Sequence, residues 1–192
     1  MRVIAGTYRG RILKSPPSLR VRPTSDRLRE TLFNIIAPRI ENVRFLDLCT
    51  GSGAVGIEAL SRGAAFSTFV DRSRKMCALV EANLDLLSIP ESQTTVVQAE
   101  ATEFLRRTSA QLGRSERTQA WDLIFFDPPY ATDYEGVIEL LGTSGKQLLR
   151  PDGMLIVEHH HKRALAERVG DLVRTRVLKQ GESSLSFYAK GA

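Results

Sequence analysis

At 192 residues, with 42% hydrophobic and 26% charged side chains, the chain suits one packed domain with a small appendage and falls outside the disordered class. No apolar run reaches bilayer-spanning length, Met1-Arg2-Val3-Ile4-Ala5-Gly6 is not a signal segment, and two isolated cysteines, Cys49 and Cys77, fit reduced thiols better than a disulfide framework, so a cytoplasmic protein is expected. The net charge of +5 is uneven: residues 1–44 hold ten basic and three acidic side chains, a balance of +7 that leaves −2 for the rest, which is the footprint of a polyanion binder or, read more plainly, a solubilising surface.

The chain opens on two short expected strands, Arg2–Ala5 and Gly10–Lys14, with Gly6-Thr7-Tyr8-Arg9-Gly10 turning between them and Ser15-Pro16-Pro17 breaking the pattern. A helix is expected from Ser25 or Asp26, because Leu28, Leu32, Ile35 and Ile36 keep helical spacing, and Pro38 closes it. From residue 43, strands alternate with helices. The strand-like runs are Val43–Leu48, Thr68–Val70, Thr94–Val97, Leu123–Phe126 and Met154–Val157. The helical runs are Val55–Arg62, Arg74–Leu87, Thr102–Arg107, Tyr134–Leu149 and His161–Val169. Apolar strands separated by helices predict an α/β fold with a parallel sheet covered on both faces. Two last strands, Val173–Lys179 and Leu185–Ala189, joined by Gln180-Gly181-Glu182-Ser183, predict an antiparallel C-terminal hairpin. Thr108–Gln119 reads as a polar surface loop. The expected division is a basic extension of hairpin plus helix over 1–40, suited to a polyanion, and a body over 41–192.

Between the first body strand and its helix lies Asp47-Leu48-Cys49-Thr50-Gly51-Ser52-Gly53-Ala54-Val55-Gly56, a G-x-G-x-x-G pattern. With Asp71 following at the distance of a ribose-binding acid, a dinucleotide-dependent dehydrogenase must be weighed. Two features oppose it. Asp47, on the strand end, would repel a pyrophosphate but could hold the ammonium of an amino-acid cofactor, directly or through water. Acids also recur at the strand ends, as Asp71, Glu100 and Asp127, where the binding crevice of a parallel sheet lies. A row of carboxylates suits a cationic, hydroxyl-rich ligand. Here the chain resembles the class I methyltransferases, whose Rossmann-like seven-stranded sheet ends in a hairpin. The resemblance implies S-adenosylmethionine as cofactor. It implies Asp47, Thr50, Gly51 and Gly53 around the methionine portion, Asp71 on both ribose hydroxyls, Arg72 beside the adenine, and Glu100 and Ala101 at the adenine edge. Many relatives carry Asp where this chain has Glu100.

The second motif is Asp127-Pro128-Pro129-Tyr130, after the apolar strand Leu123-Ile124-Phe125-Phe126. Two prolines stiffen the turn and remove two N–H donors, leaving the Pro128 carbonyl to accept. An aromatic amine is a poor nucleophile because its lone pair is conjugated. Acceptors on its hydrogens, from Asp127 and Pro128, favour pyramidal geometry and aim the lone pair at a methyl sulfonium. Tyr130 would stack on the base. The motif resembles that of amino-methyltransferases acting on adenine N6, guanine N2, cytosine N4 or protein glutamine.

A longer signature comprises Arg2-Val3-Ile4-Ala5-Gly6, Tyr8-Arg9-Gly10-Arg11-Ile12-Leu13 and Arg22-Pro23-Thr24-Ser25-Asp26-Arg27-Leu28-Arg29-Glu30-Thr31-Leu32-Phe33-Asn34. With the D-P-P-Y turn it is similar to the RsmD-type 16S ribosomal RNA guanine-N2 methyltransferases, from about Arg2 to Tyr188. That resemblance implies methyl transfer to guanine N2 in small-subunit ribosomal RNA; the residues themselves demand nothing more than a monomer and call for neither metal nor membrane. Arg9, Arg11, Arg20 and Arg22 are the candidate phosphate contacts, since the guanidinium fork matches phosphate. Thr24 and Arg27 stand where either cofactor or RNA is within reach. Phe33 and Trp121 read as core. His159-His160-His161 alternates in direction along a strand, so it does not converge on a metal. A DNA adenine-N6 methyltransferase and a non-catalytic ribosomal-RNA-binding assembly factor stand as the alternatives.

Overall fold

A computed structural model of the chain describes residues 1–16, 25–112, 120–129 and 134–191. The expectations placed on Arg20, Arg22, Thr24 and Tyr130, and on most of the polar stretch before Trp121, fall outside those residues. The chain forms two compact units, Met1–Ala99 and Glu100–Ala192.

The first unit begins with the expected hairpin, tied by Val3 N–H to the Arg11 carbonyl and Gly10 N–H to the Val3 carbonyl, at 3.0 and 2.9 Å. Its regular pairing is a single bridge, Arg2 with Ile12. Gly6, with φ +81°, makes the turn possible: a Cβ there would stand 1.7 Å from the Ser61 carbonyl oxygen. Helix α1, Asp26–Ile36, starts at Ser25, whose side chain accepts from Leu28 N–H, and buries Leu28, Leu32, Phe33 and Ile36. Strands β1 (Arg44–Leu48), β2 (Phe66–Asp71) and β3 (Thr94–Gln98) then alternate with α2 (Ala54–Ser61) and α3 (Arg74–Leu86). The strands pair in parallel in the order β3-β2-β1, with Leu48 beside Val70 and Val70 beside Val97. Val3 and Leu13 of the hairpin share one apolar cluster with Ile57, Phe69 and Val80.

The second unit holds α4 (Ala101–Gln111), β4 (Trp121–Phe126), α5 (Tyr134–Gly142), β5 (Leu149–His160), β6 (Arg168–Val169), β7 (Leu172–Gln180) and β8 (Ser183–Lys190). β4 and β5 are parallel, with Phe126 opposite Val157, while β8, β7 and β6 continue antiparallel. The fold class is therefore α/β, with parallel pairing closed by an antiparallel C-terminal hairpin. Phe33 and Trp121 are core residues as expected, and both cysteines are thiols outside any disulfide.

Three segments depart from the sequence reading. α4 extends to Gln111, into the stretch read as loop. α5 stops at Gly142, whose carbonyl accepts from Asp171 N–H at 2.7 Å, and no side chain fits there, since a Cβ would meet the Val169 oxygen at 2.0 Å. No helix forms over His161–Val169. Gly170, at φ +56°, turns the chain so that Arg168 and Val169 pair with Val173 and Leu172 as β6 and β7. Backbone groups that a helix would have satisfied internally are taken there by the neighbouring strand, with Arg174 N–H donating to the Glu167 carbonyl at 2.7 Å.

Candidate functional site

In the first unit the glycine-rich loop leaves β1 and enters α2 through left-handed backbone at Cys49, Gly51 and Gly53. Asp47, 1% exposed, organises it from below. Its Oδ2 accepts from Thr50 Oγ1 at 2.7 Å and from Gly56 N–H at 2.9 Å. Burial pushes the Asp47 carboxyl up to about 7, against the lowering effect of those two hydrogen bonds. Asp71, at the end of β2, braces the loop from the side: Gly51 N–H donates to its Oδ2 at 3.0 Å and Ser73 N–H to its Oδ1 at 2.8 Å. Each oxygen keeps capacity for a second donor.

The three glycines play different parts. Gly56 lets α2 approach β2, since a Cβ there would stand 2.3 Å from the Phe69 ring. A Cβ on Gly53 would press on Val80 at 3.2 Å, whereas one on Gly51 would meet nothing within 4 Å. The loop thus has one surface packed on protein and an open one at Gly51. Arg72 is exposed beyond Asp71.

In the second unit, Glu100 is the N-cap of α4, its Oε2 accepting from Thr102 and Glu103 N–H at 2.8 and 3.1 Å, and Ala101 is buried behind it. Asp127 is half-buried after β4, followed by buried Pro128 and exposed Pro129. The Pro128 carbonyl does accept, but its partner in this structure is Tyr134 Oη at 3.3 Å. Tyr134 is itself fixed: its ring packs edge-on against Phe126, centroids 5.9 Å apart, and the Arg163 guanidinium lies 4.5 Å above it. A carbonyl has two lone pairs, so a second donor can still reach Pro128.

Of the arm, Arg9 and Arg11 are exposed, and Arg11 Nη2 donates to the Leu86 carbonyl at 3.2 Å. Arg27 is likewise exposed. Arg29 is different. It is fully buried, donates to the Arg2 carbonyl at 2.6 Å and pairs with Asp26 at 3.0 Å, and burial lowers its pKa. His159 is held by Ser186 Oγ at 2.9 Å and His161 by the Glu182 carbonyl at 3.1 Å.

Three structural residues carry no sequence motif. Glu58, buried on α2, accepts from Ile4 and Ala5 N–H at 2.8 and 3.0 Å and pairs with Arg62 at 2.7 Å. Asn83, buried on α3, takes Lys14 N–H at 2.8 Å and donates to the Lys14 and Ser52 carbonyls at 3.1 and 3.0 Å. Tyr134 is the third. The available signal is a polar side chain on an otherwise apolar helix face: Asn83 lies at helical spacing from Val80 and Leu87, and Glu58 among Val55, Ile57 and Leu60.

A left-handed glycine loop between a parallel strand and a helix, with Asp47 and Asp71 at the ends of β1 and β2, defines the class of α/β proteins that hold a nucleoside-bearing cofactor. Within that class the chain belongs to the family described as Conserved hypothetical protein 95, whose model matches residues 1–189. Among curated proteins it is 37% identical over 191 residues to "Putative rRNA methyltransferase YlbH" of Bacillus subtilis, covering 99% of each chain. It is 39% identical over 159 residues to ribosomal RNA small subunit methyltransferase D of Escherichia coli strain K12, covering 82% of this chain and 74% of that one. Among solved structures, the Escherichia coli protein described as "Putative methyltransferase yhhF" superposes with a TM-score of 0.82 at 33% identity, covering 100% of this chain and 98% of that one. The fold is thus the Rossmann-like fold of methyltransferases. Among the described residues, no helix is long and apolar enough to cross a membrane.

Proposed function

We propose that this protein transfers a methyl group from S-adenosylmethionine to the exocyclic N2 of a guanine in small-subunit ribosomal RNA. The observation that carries the reading is the turn after β4, where Asp127 precedes a carbonyl-presenting Pro128 in a chain 39% identical to a small-subunit ribosomal RNA methyltransferase. When bound, the cofactor supplies an electrophilic methyl on a sulfonium. The protein's own task is to place the amine. Asp127 and the second lone pair of the Pro128 carbonyl accept the amine's two hydrogens, which turns the nitrogen lone pair toward the methyl carbon. With the amine so held, Asp127 need not take a proton before transfer, because the methylated nitrogen would lose its extra proton to water afterwards. Tyr130 stacks on the extruded base.

The cofactor roles rest on the same resemblance, and the local geometry fits them. The open side of Gly51, beside Thr50 and Gly53, suits the methionine portion. The remaining acceptor capacity of Asp71 suits the ribose hydroxyls. Asp47, being buried, acts on the cofactor ammonium through the loop it anchors. By that resemblance Arg72 would lie beside the adenine, and Glu100 and Ala101 would meet its edge. Residues 1–40 serve as the RNA-binding extension, with Arg9, Arg11, Arg20 and Arg22 on phosphates, and residues 41–192 as the methyltransferase domain. The protein acts in the cytoplasm as a monomer on the small ribosomal subunit or its RNA.

The test is transfer of labelled methyl from S-adenosylmethionine to small subunits, and to ribosomal RNA, lacking the modification, with products identified by mass spectrometry. N2-methylguanine that disappears with Asp127→Ala is the expected result. Label in plasmid DNA adenine alone would overturn the substrate.

A further inference from the structure

The histidine run at the end of β5 continues into two cations, giving His159-His160-His161-Lys162-Arg163. β4 and β5 are parallel, with Phe126 opposite Val157, so residues leaving β5 emerge at the same end of the sheet as Asp127 and Pro128 leaving β4. The exit is an ordered turn. Arg163 N–H donates to the His160 carbonyl at 2.9 Å, Lys162 N–H to His160 Nδ1 at 3.2 Å, and His161 N–H to the Glu182 carbonyl at 2.8 Å. The His160 and His161 rings lie 4.5 Å apart, which leaves Lys162 and Arg163 exposed at the tip.

Neither cation forms an ion pair with a described carboxylate. The two carboxylates that follow in the chain are paired with other cations, Glu167 with Arg174 at 3.3 Å and Asp171 with Lys146 at 3.0 Å. Between Lys162 and Lys179 the chain carries six basic residues against those two acids, a positive run inside the part of the chain whose overall balance is negative. The run is also linked to the catalytic turn. Arg163 covers the Tyr134 ring, and Tyr134 Oη holds the Pro128 carbonyl. One side chain therefore separates an exposed cation from an atom proposed to grip the reacting amine.

We propose that the turn His160–Arg163 is a second phosphate-binding site for the substrate RNA, with Lys162 and Arg163 taking the phosphodiester backbone beside the nucleotide that enters at Asp127 and Pro128. This rests on the reading of the protein as an RNA methyltransferase. A base drawn out of a loop needs its own strand held close to the point of entry, and an N-terminal arm alone leaves that strand free to swing. The guanidinium of Arg163 offers a fork of donors to phosphate while its flat face stays on Tyr134, so bound RNA would also steady the Pro128 carbonyl.

The probe is an unmodified small-subunit ribosomal RNA transcript, with affinity measured across a salt series and methyl transfer measured in parallel. The variants are Lys162→Ala combined with Arg163→Ala, Arg163→Lys alone, and Arg9→Ala combined with Arg11→Ala as comparator. The double variant at the turn should bind RNA on the order of tenfold more weakly, and its salt slope should fall by about 0.7 for each phosphate that is no longer neutralised. Its affinity for S-adenosylhomocysteine and its melting temperature should stay within error. Arg163→Lys should keep most of the affinity but lower kcat, because the charge remains while the flat cover over Tyr134 is gone. Wild-type transfer with RNA affinity and salt slope unchanged in the double variant overturns this site alone. No transfer to any ribosomal RNA by the wild type overturns the functional reading and this site with it.

Discussion

Asp47 is the residue whose environment predicts the most. Its folded-state pKa of about 7 lies above the ordinary carboxylate value of 3.8, so the folded protein holds the proton more tightly than the unfolded chain. The resulting stabilisation is complete below about pH 4 and is lost as pH rises through about 7. Between about pH 5 and 8 the melting temperature of the ligand-free protein should therefore fall more steeply in the wild type than in Asp47→Asn, which scanning calorimetry would show. Equal slopes would mean that the carboxyl is ionised throughout. The ammonium and sulfonium of S-adenosylmethionine are both cationic and favour the ionised form, so affinity for S-adenosylmethionine should rise with pH over the same window and respond less in the variant. Tyr134→Phe addresses the other motif. Losing the hydroxyl that holds Pro128 should slow single-turnover methyl transfer by about tenfold while leaving S-adenosylhomocysteine affinity intact. An unchanged rate would make Tyr134 purely a packing residue. Both motifs were legible as motifs because their chemistry is written in consecutive residues. The partner of the Pro128 carbonyl was not, because Tyr134 reads as the opening of a helix and only its packing on Phe126 aims the hydroxyl at the turn.

Among the elements, α2 joins the cofactor loop to the hairpin. Its N-terminus is set by Asp47 through Gly56, and Glu58, two residues further along, holds the hairpin at Ile4 and Ala5 while facing Arg62 and Arg29. Removing one member of a buried charge cluster leaves the others uncompensated, so Glu58→Ala should cost about 3 kcal/mol, lowering the melting temperature by roughly 10 °C. A drop of only a degree or two would mean that water replaces the carboxylate without strain. On α1, Arg29 shows how composition can mislead. It counts toward the basic N-terminal charge, yet it is fully buried and directs its donors to Arg2 and Asp26, so the arm offers one phosphate ligand fewer than its formal charge suggests. The segment His161–Val169 makes the converse point. Its apolar spacing suits a helix, but β6 pairs with β7 because Gly170 turns the chain back, and long-range pairing outweighs local periodicity.

For the molecule as a whole, the proposed partner is a polyanion, and its binding should carry the electrostatic signature. With about six phosphate contacts the logarithm of RNA affinity should fall against the logarithm of salt with a slope of about −4, whereas S-adenosylhomocysteine affinity should change little. Isothermal titration at several salt concentrations reads both, and a flat RNA response would remove the basic extension from a part in RNA binding. The net charge of +5 does not say where those contacts lie.

The division between chain and fold follows from the range of the interactions concerned. Strand and helix alternation, the glycine loop, the acids at strand ends and the proline-stiffened turn depend on neighbours within a few residues, so the linear order of residues suffices to specify them. That order also carries the family resemblance, since the signature residues are contiguous. Packing set what those groups face: Asp47 turned inward on Thr50 and Gly56, Arg29 removed from the surface, Glu58 and Asn83 holding the hairpin against the unit that carries the cofactor loop, and Tyr134 between Pro128 and Arg163. Each of these joins residues distant in sequence or sets a side chain by packing, and burial, which gives such contacts their strength, does not exist until the chain has folded.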